Sequence, residues 1–215
     1  MFIGHYGVGL AAKKPAKSVS LGTLFLSAQW LDLLWPVLIV FNIEQVEINP
    51  HPINITPLDF VYYPFSHSLL FVLIWSTLFG GIYFIFKKNL RNALIVGLLV
   101  LSHWMLDLFV HVPDLPILPA GPYIGLGLWK YPAIETIIEI GIFITGAVIY
   151  AKCTSPKDKI GVYGFWSLIA LLTLIHLANI FGPPPPDVKS LGYVSLFLWL
   201  FVPWAYWADK HRAVK

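Results

Sequence analysis

Charge is scarce in this chain. Asp, Glu, Lys and Arg make up 12% of its 215 residues and hydrophobic residues 58%, where a soluble domain carries about a quarter charged. That balance excludes an ordinary soluble fold and favours a bundle whose solvent is lipid. Cysteine is nearly absent: with Cys153 alone, no intrachain disulfide can form, and the residue reads as small apolar filler near a helix end. The basic residues are too clustered to line a nucleic-acid surface, which excludes that partner. An internal repeat is also missing, which weighs against an inverted-repeat transporter.

What is present is a series of long apolar segments. Six of them, 20–43, 66–86, 92–111, 131–151, 160–181 and 190–207, match the roughly 20 helical residues that a hydrocarbon core of about 30 Å requires. The expected fold is all-α: a polytopic membrane helix bundle of about six transmembrane helices. It forms a single domain over 1–215, with 1–19 as an N-terminal arm or half-helix. Lys13, Lys14 and Lys17 before the run from Val19 imitate a secretory signal. The run continues to Ile43, however, which is span length rather than signal length.

Loop charge orients the bundle. Of the 14 basic residues all but Lys130 and Lys189 fall in the N-terminal segment, the second and fourth loops and the tail. By the excess of Lys and Arg in cytoplasmic loops, both termini are expected to be cytoplasmic, in a bacterial-type cytoplasmic membrane. The first outer loop holds Pro50, Pro52, Pro57 and Pro64, favouring extended backbone that folds over the bundle as a lid. Trp129, Tyr131, Trp204, Tyr206 and Trp207 suit interfacial belts.

The informative residues are those that do not belong in lipid. Asp32, His103, Asp107, Glu135, Glu139 and His176 lie inside the proposed spans, and His67 and His111 at outer span ends. A charge at the bilayer centre costs about 2.5–3.5 kcal/mol on insertion scales, so such residues normally face protein or water and carry a function. No span interior offers Lys or Arg to balance them. Counting about 1.5 Å per residue from each inner span end puts His103 about 16 Å deep, Asp32 and Glu139 about 18 Å, and Asp107 about 22 Å. Glu135 and His176 come out near 24 Å, and His67 and His111 near 28 Å, so all occupy the outer half of the membrane.

His103, Asp107 and His111 recur every fourth residue and share one helix face. Glu135 and Glu139 repeat that spacing. Imidazole and carboxylate four residues apart can share one cation or bridge two, and a His and carboxylate set without cysteine suits zinc first, manganese or iron second. His5 joins the set if residues 2–12 dip back as a half-helix, and otherwise sits in a mobile arm. His176 is either a hydrogen-bonded packing residue or a group that steadies a ligand, Asp59 either a turn residue or part of the substrate mouth. His51 and His211 are expected to be solvated.

The segments Gly4-His5-Tyr6, Phe65-Ser66-His67-Ser68-Leu69 and Ser102-His103-Trp104-Met105-Leu106-Asp107 resemble motifs of the YdjM-like membrane-bound metal-dependent hydrolases. The resemblance runs from the N-terminus to about residue 140 and implies a metal hydrolase without naming a substrate. The order His5, Asp32, His67, His103 with Asp107, His111 and Glu139 is also similar to the ligand order of zinc-dependent phospholipases C, soluble enzymes with a three-zinc site. Glu135 departs from that pattern, which expects His there.

The resulting expectation is hydrolysis of an ester or phosphodiester, assisted by one to three divalent ions, in a lipid-like or phosphate-containing substrate reached from the outer leaflet. His5, Asp32, His67, His103, Asp107, His111 and Glu139 are the candidate metal ligands. Asp107 also counts as catalytic, and Glu135 is either a ligand or the general base for the attacking water. Ser66 and Ser68 would orient His67. Lys130, Tyr131 and Asp59 would hold the substrate headgroup. The alternatives are a metal-ion or proton transport protein and a metal-stabilised scaffold without turnover. The sequence leaves the oligomeric state open.

Overall fold

The computed structural model describes residues 1–50 and 54–215, so His51 and Pro52 lie outside the described residues. The chain opens with a short helix, α1 (Ile3–Ala11), then α2 (Leu21–Ala28) and α3 (Trp30–Val40). A hairpin of β1 (Gln45–Ile48) and β2 (Leu58–Tyr62) leads through α4 (Pro64–His67) into α5 (Leu69–Lys87) and α6 (Leu90–Val110). A second hairpin, β3 (Leu115–Pro116) and β4 (Tyr123–Ile124), precedes α7 (Pro132–Cys153). Strand β5 (Thr154–Pro156), α8 (Lys159–Phe181), α9 (Val188–Ser195), α10 (Phe201–Lys210) and β6 (Arg212–Val214) complete the chain, β5 pairing with β6.

The architecture is mostly helical, with three short strand pairs among the described residues added to the expected all-α bundle. Helices α5, α6, α7, α8 and the continuous run Val188–Lys210 are long and apolar enough to cross a membrane. The segment expected as one first span is broken: α2 and α3 meet at Gln29 with a bend of 58°, and counting the pair as one span gives six. Helix starts follow local chemistry. Ser20, Ser68, Asn89, Asp158 and Asp187 each accept a hydrogen bond from the backbone N–H three residues on, satisfying donors that a helix start leaves orphaned.

Helix α5 exposes Leu73, Ile74, Leu78, Ile82, Ile85 and Phe86. A continuous apolar face of that kind is foreign to soluble monomers and fits a hydrocarbon surround. Its other face lies close on α6, where Ser76 Oγ donates to the Gly97 carbonyl at 2.8 Å and a Cβ on Gly97 would meet the Ser76 carbonyl oxygen at 2.8 Å. Small residues let backbones approach in this way.

Helix α1 is the hub. Seven of its nine residues are buried, and it packs against α7, α2 and α6. Its crossing with α7 is closed by glycines, since a Cβ on Gly7 would sit 2.7 Å from the Ile142 carbonyl oxygen. Below His5, the rings of Tyr6, Phe25, Phe143, Tyr150 and Phe165 join Leu10 in a continuous core. The end of the bundle carrying Lys13 is tied by polar contacts: Lys13 Nζ donates to Asp209 Oδ2 at 2.8 Å and Tyr150 OH to Asp209 Oδ1 at 2.7 Å. At the opposite end, the described residues on either side of positions 51–53 pair as β1 and β2. Val46 of β1 and Tyr63, just after β2, pack with Trp35, Trp104 and Leu115.

Candidate metal centre

The α2–α3 break, α4, α6 and α1 each deliver one or two polar groups to a common point. Asp32 stands in the first turn of α3, where the helix dipole favours a carboxylate. His67 closes α4, and His103 and Asp107 lie one turn apart on α6. His103 Nε2 is 3.5 Å from Asp32 Oδ1 and 3.2 Å from Asp107 Oδ2. His67 Nε2 is 3.6 Å from Asp32 Oδ1 and 3.8 Å from Asp107 Oδ2.

Four ligand atoms about 2.0–2.1 Å from a tetrahedral ion stand about 3.3 Å from one another. Four of the six separations among these atoms, from 3.2 to 3.8 Å, lie near that spacing, and the ligand atoms of Asp32, His67 and His103 all fall within 4.8 Å of one another. Two of the atoms, His103 Nε2 and Asp107 Oδ2, are buried without any hydrogen-bond partner. Buried polar groups are rarely left so, and an ion at their point of convergence would satisfy both.

The imidazoles are set as ligands by what holds their other nitrogens. His103 Nδ1 lies 2.7 Å from the carbonyl of Ala28, an acceptor only, so Nδ1 carries the proton and Nε2 offers its lone pair. Ala28 is the last residue of α2, and carbonyls in the last turn of a helix lack intrahelical partners. His67 Nδ1 lies 2.7 Å from Ser66 Oγ, which donates to Glu44 Oε2 at 2.6 Å. Because the Ser66 proton goes to the carboxylate, Ser66 accepts from His67 Nδ1–H, and Nε2 again faces the centre free. Glu44 Oε1 takes the Ser66 backbone N–H at 2.8 Å. Burial pushes the Glu44 carboxyl above its ordinary pKa, and the Ser66 bonds work against that rise.

His5 stacks on His103, with centroids 3.5 Å apart and rings nearly parallel. Its Nε2 is 3.1 Å from Asp107 Oδ1, and the Met1 amino group donates to the same oxygen at 2.8 Å. Asp107 is thus held through Oδ1 while Oδ2 remains available. His5, His103 and Asp107 form a second group with metal-ligand spacing beside Asp32, His67 and His103.

Other expected members are placed differently. His111 is the C-cap of α6, with extended backbone (φ −58°, ψ 143°), so it leaves the helical stripe of His103 and Asp107. Its Nδ1 pairs with Asp114 Oδ1 at 2.8 Å, and its ring lies against Trp129, 4.1 Å between centroids. Glu139 Oε1 accepts from the backbone N–H groups of Phe2 and, at 3.0 Å, Gly4, anchoring the start of α1. Glu135 is buried one turn away, beside Glu139. His176 is buried, stacked on Phe2 at 6.4 Å, with Nε2 unpartnered. Ser68 caps α5.

Lys130 and Tyr131 are exposed one turn before Glu135. Asp59 is exposed on β2 and accepts from Asn49 Nδ2 at 3.2 Å. Among the described residues no Lys or Arg side chain pairs with Asp32, Asp107, Glu135 or Glu139. The Asp32 side chain retains 23% exposure where His67 and His103 retain 5% or less, so the centre has one open side. Glu44 and the Ala28 carbonyl are the functional groups that sequence reasoning missed.

No protein-family model matches the chain, no curated protein matches it, and no solved structure matches its fold.

Proposed function

We propose that this chain is a membrane-embedded, metal-dependent hydrolase, with zinc the best-suited ion, acting on an ester or phosphodiester of a lipid or lipid-linked phosphate. The observation that carries the reading is the pair of buried groups with metal-ligand spacing, Asp32, His67 and His103 on one side and His5, His103 and Asp107 on the other, in which His103 Nε2 and Asp107 Oδ2 have no hydrogen-bond partner. A divalent ion held there would lower the pKa of water towards about 7 and stabilise charge on the leaving oxygens. The protein's part is to fix the ligands. Ser66 and the Ala28 carbonyl set the imidazole tautomers, and His5 holds the Asp107 carboxylate.

The partly exposed side of Asp32 is the approach for substrate. Glu135, on α7, supplies a carboxylate able to take a proton from attacking water, and Lys130 and Tyr131 a mouth for an anionic headgroup. The distribution of basic loops supports cytoplasmic termini and a centre opening towards the outer leaflet. The YdjM-like motifs contain His5, Ser66, His67, His103 and Asp107, five of the residues gathered here. Transport is less well supported. The aromatic core around Tyr6 and Phe25 and the Lys13–Asp209 contacts lie between the centre and the other end of the bundle, and the residues of that core are apolar.

The test is incubation of the purified protein with phospholipid nanodiscs, with and without added zinc, followed by mass spectrometry of extracted lipids. Zinc-dependent products that vanish in His103→Ala are expected. Uptake of zinc into proteoliposomes without lipid products would instead favour transport, and bound zinc with neither would favour the scaffold.

A further inference from the structure

We infer that a cleft between α7 and α8 holds one acyl chain of a membrane phospholipid, with the polar end of that lipid at His176. The inference rests on the lipid-hydrolase reading above and specifies its substrate class. The cleft encloses about 270 Å³, between Ile144 and Val148 of α7 and Trp166, Ile169, Thr173 and His176 of α8. From Trp166 to His176 a helix rises about 15 Å, so the cleft is long and narrow and runs parallel to the helices, as an extended hydrocarbon chain in a bilayer does.

Its walls are apolar except at two positions. The Thr173 hydroxyl is already used, donating to the Ile169 carbonyl at 2.9 Å. His176 is 3% exposed, and its Nε2 has no partner. A buried imidazole nitrogen left unpaired carries a desolvation cost that a hydrogen-bonding ligand removes. The ester carbonyl or phosphate oxygen where a lipid chain joins its headgroup is such a ligand.

Position supports the same occupant. His176 stacks on Phe2, whose backbone N–H donates to Glu139, so the polar end of the cleft adjoins α1, which carries His5. A chain lying along Ile169 and Ile144 would thus bring its ester and phosphodiester groups towards the metal centre. Ile144, Trp166 and Leu177 on the rim are exposed, so the cleft opens sideways onto the apolar face, where lipid chains are the available apolar solute.

The test uses the full chain in nanodiscs containing phosphatidylglycerol with a diazirine in one acyl chain, illuminated and mapped by mass spectrometry. Labelling concentrated on Ile144, Val148, Ile169 and Thr173 is expected. Thr173→Phe puts a ring into the cleft, and displacing two methylenes lowers occupancy on the order of ten-fold. Bound metal per chain should not change. If Thr173→Phe aggregates, Ile144→Trp narrows the cleft from its exposed wall with the same expected loss. Label spread equally over the exposed face of α5, or unchanged by these substitutions, overturns the inference. Cleft labelling in a parent protein that binds no metal would uphold the lipid site and sink the hydrolase reading. Metal-dependent products with uniform labelling would do the reverse.

Discussion

Glu44→Gln is expected to weaken zinc binding by about 10- to 100-fold, or about 1.4–2.7 kcal/mol, although Glu44 is one residue removed from any proposed ligand. The reasoning follows the protons. The Ser66 backbone N–H donates to Oε1 and the Ser66 hydroxyl to Oε2, so glutamine must place its oxygen against the backbone N–H and its NH₂ against Ser66 Oγ. The hydroxyl proton then turns towards His67 Nδ1, the imidazole is protonated on Nε2 instead, and a ligand lone pair is lost. Ser66→Ala removes the same link, and the double variant should be no weaker than Ser66→Ala alone because the two act in series. Equilibrium competition against a zinc-binding dye in detergent measures the affinities. Glu47→Gln, an equal charge change on the exposed face of the same hairpin, is the control. Unchanged affinity in both Glu44→Gln and Ser66→Ala, where His103→Ala abolishes binding, would refute the relay.

Two further substitutions test how α1 is held. Gly7→Ala forces a Cβ against the Ile142 carbonyl and the Phe143 Cα and should cost about 1–3 kcal/mol, read as a lower unfolding temperature in detergent with weaker metal binding through displaced His5. Glu139→Leu strips the acceptor from the N–H groups of Phe2 and Gly4 and should loosen the start of α1 by about 1–2 kcal/mol. Hydrogen exchange at residues 2–7 should then rise while the α5–α6 pair stays protected, and exchange at the parent rate would contradict that role.

The long helices were legible because apolar runs of span length leave few other structures. The pairing of His103 with Asp107 was legible because four residues is one helical turn. His111 fell outside that logic by a single residue: the helix ends at Val110, and a stripe argument holds only while the helix lasts. The bend at Gln29 carries no glycine or proline to announce it, although the Ala28 carbonyl it leaves fixes His103. Nothing in the sequence marks Glu44, because its partner, Ser66, lies across a hairpin and 22 residues on. Glu139 matched a ligand order, yet its Oε1 faces backbone N–H groups more than 130 residues away, and backbone donors have no signature in sequence.

Metal analysis of the purified protein tests the central claim most directly, with the parent measured beside His103→Ala and Asp107→Ala after dialysis against trace zinc. Asp32, His67, His103 and Asp107 predict at least one tightly held ion per chain in the parent and its loss in both variants, with each variant still eluting as a folded species. A parent that retains no more metal than the two variants would contradict the account.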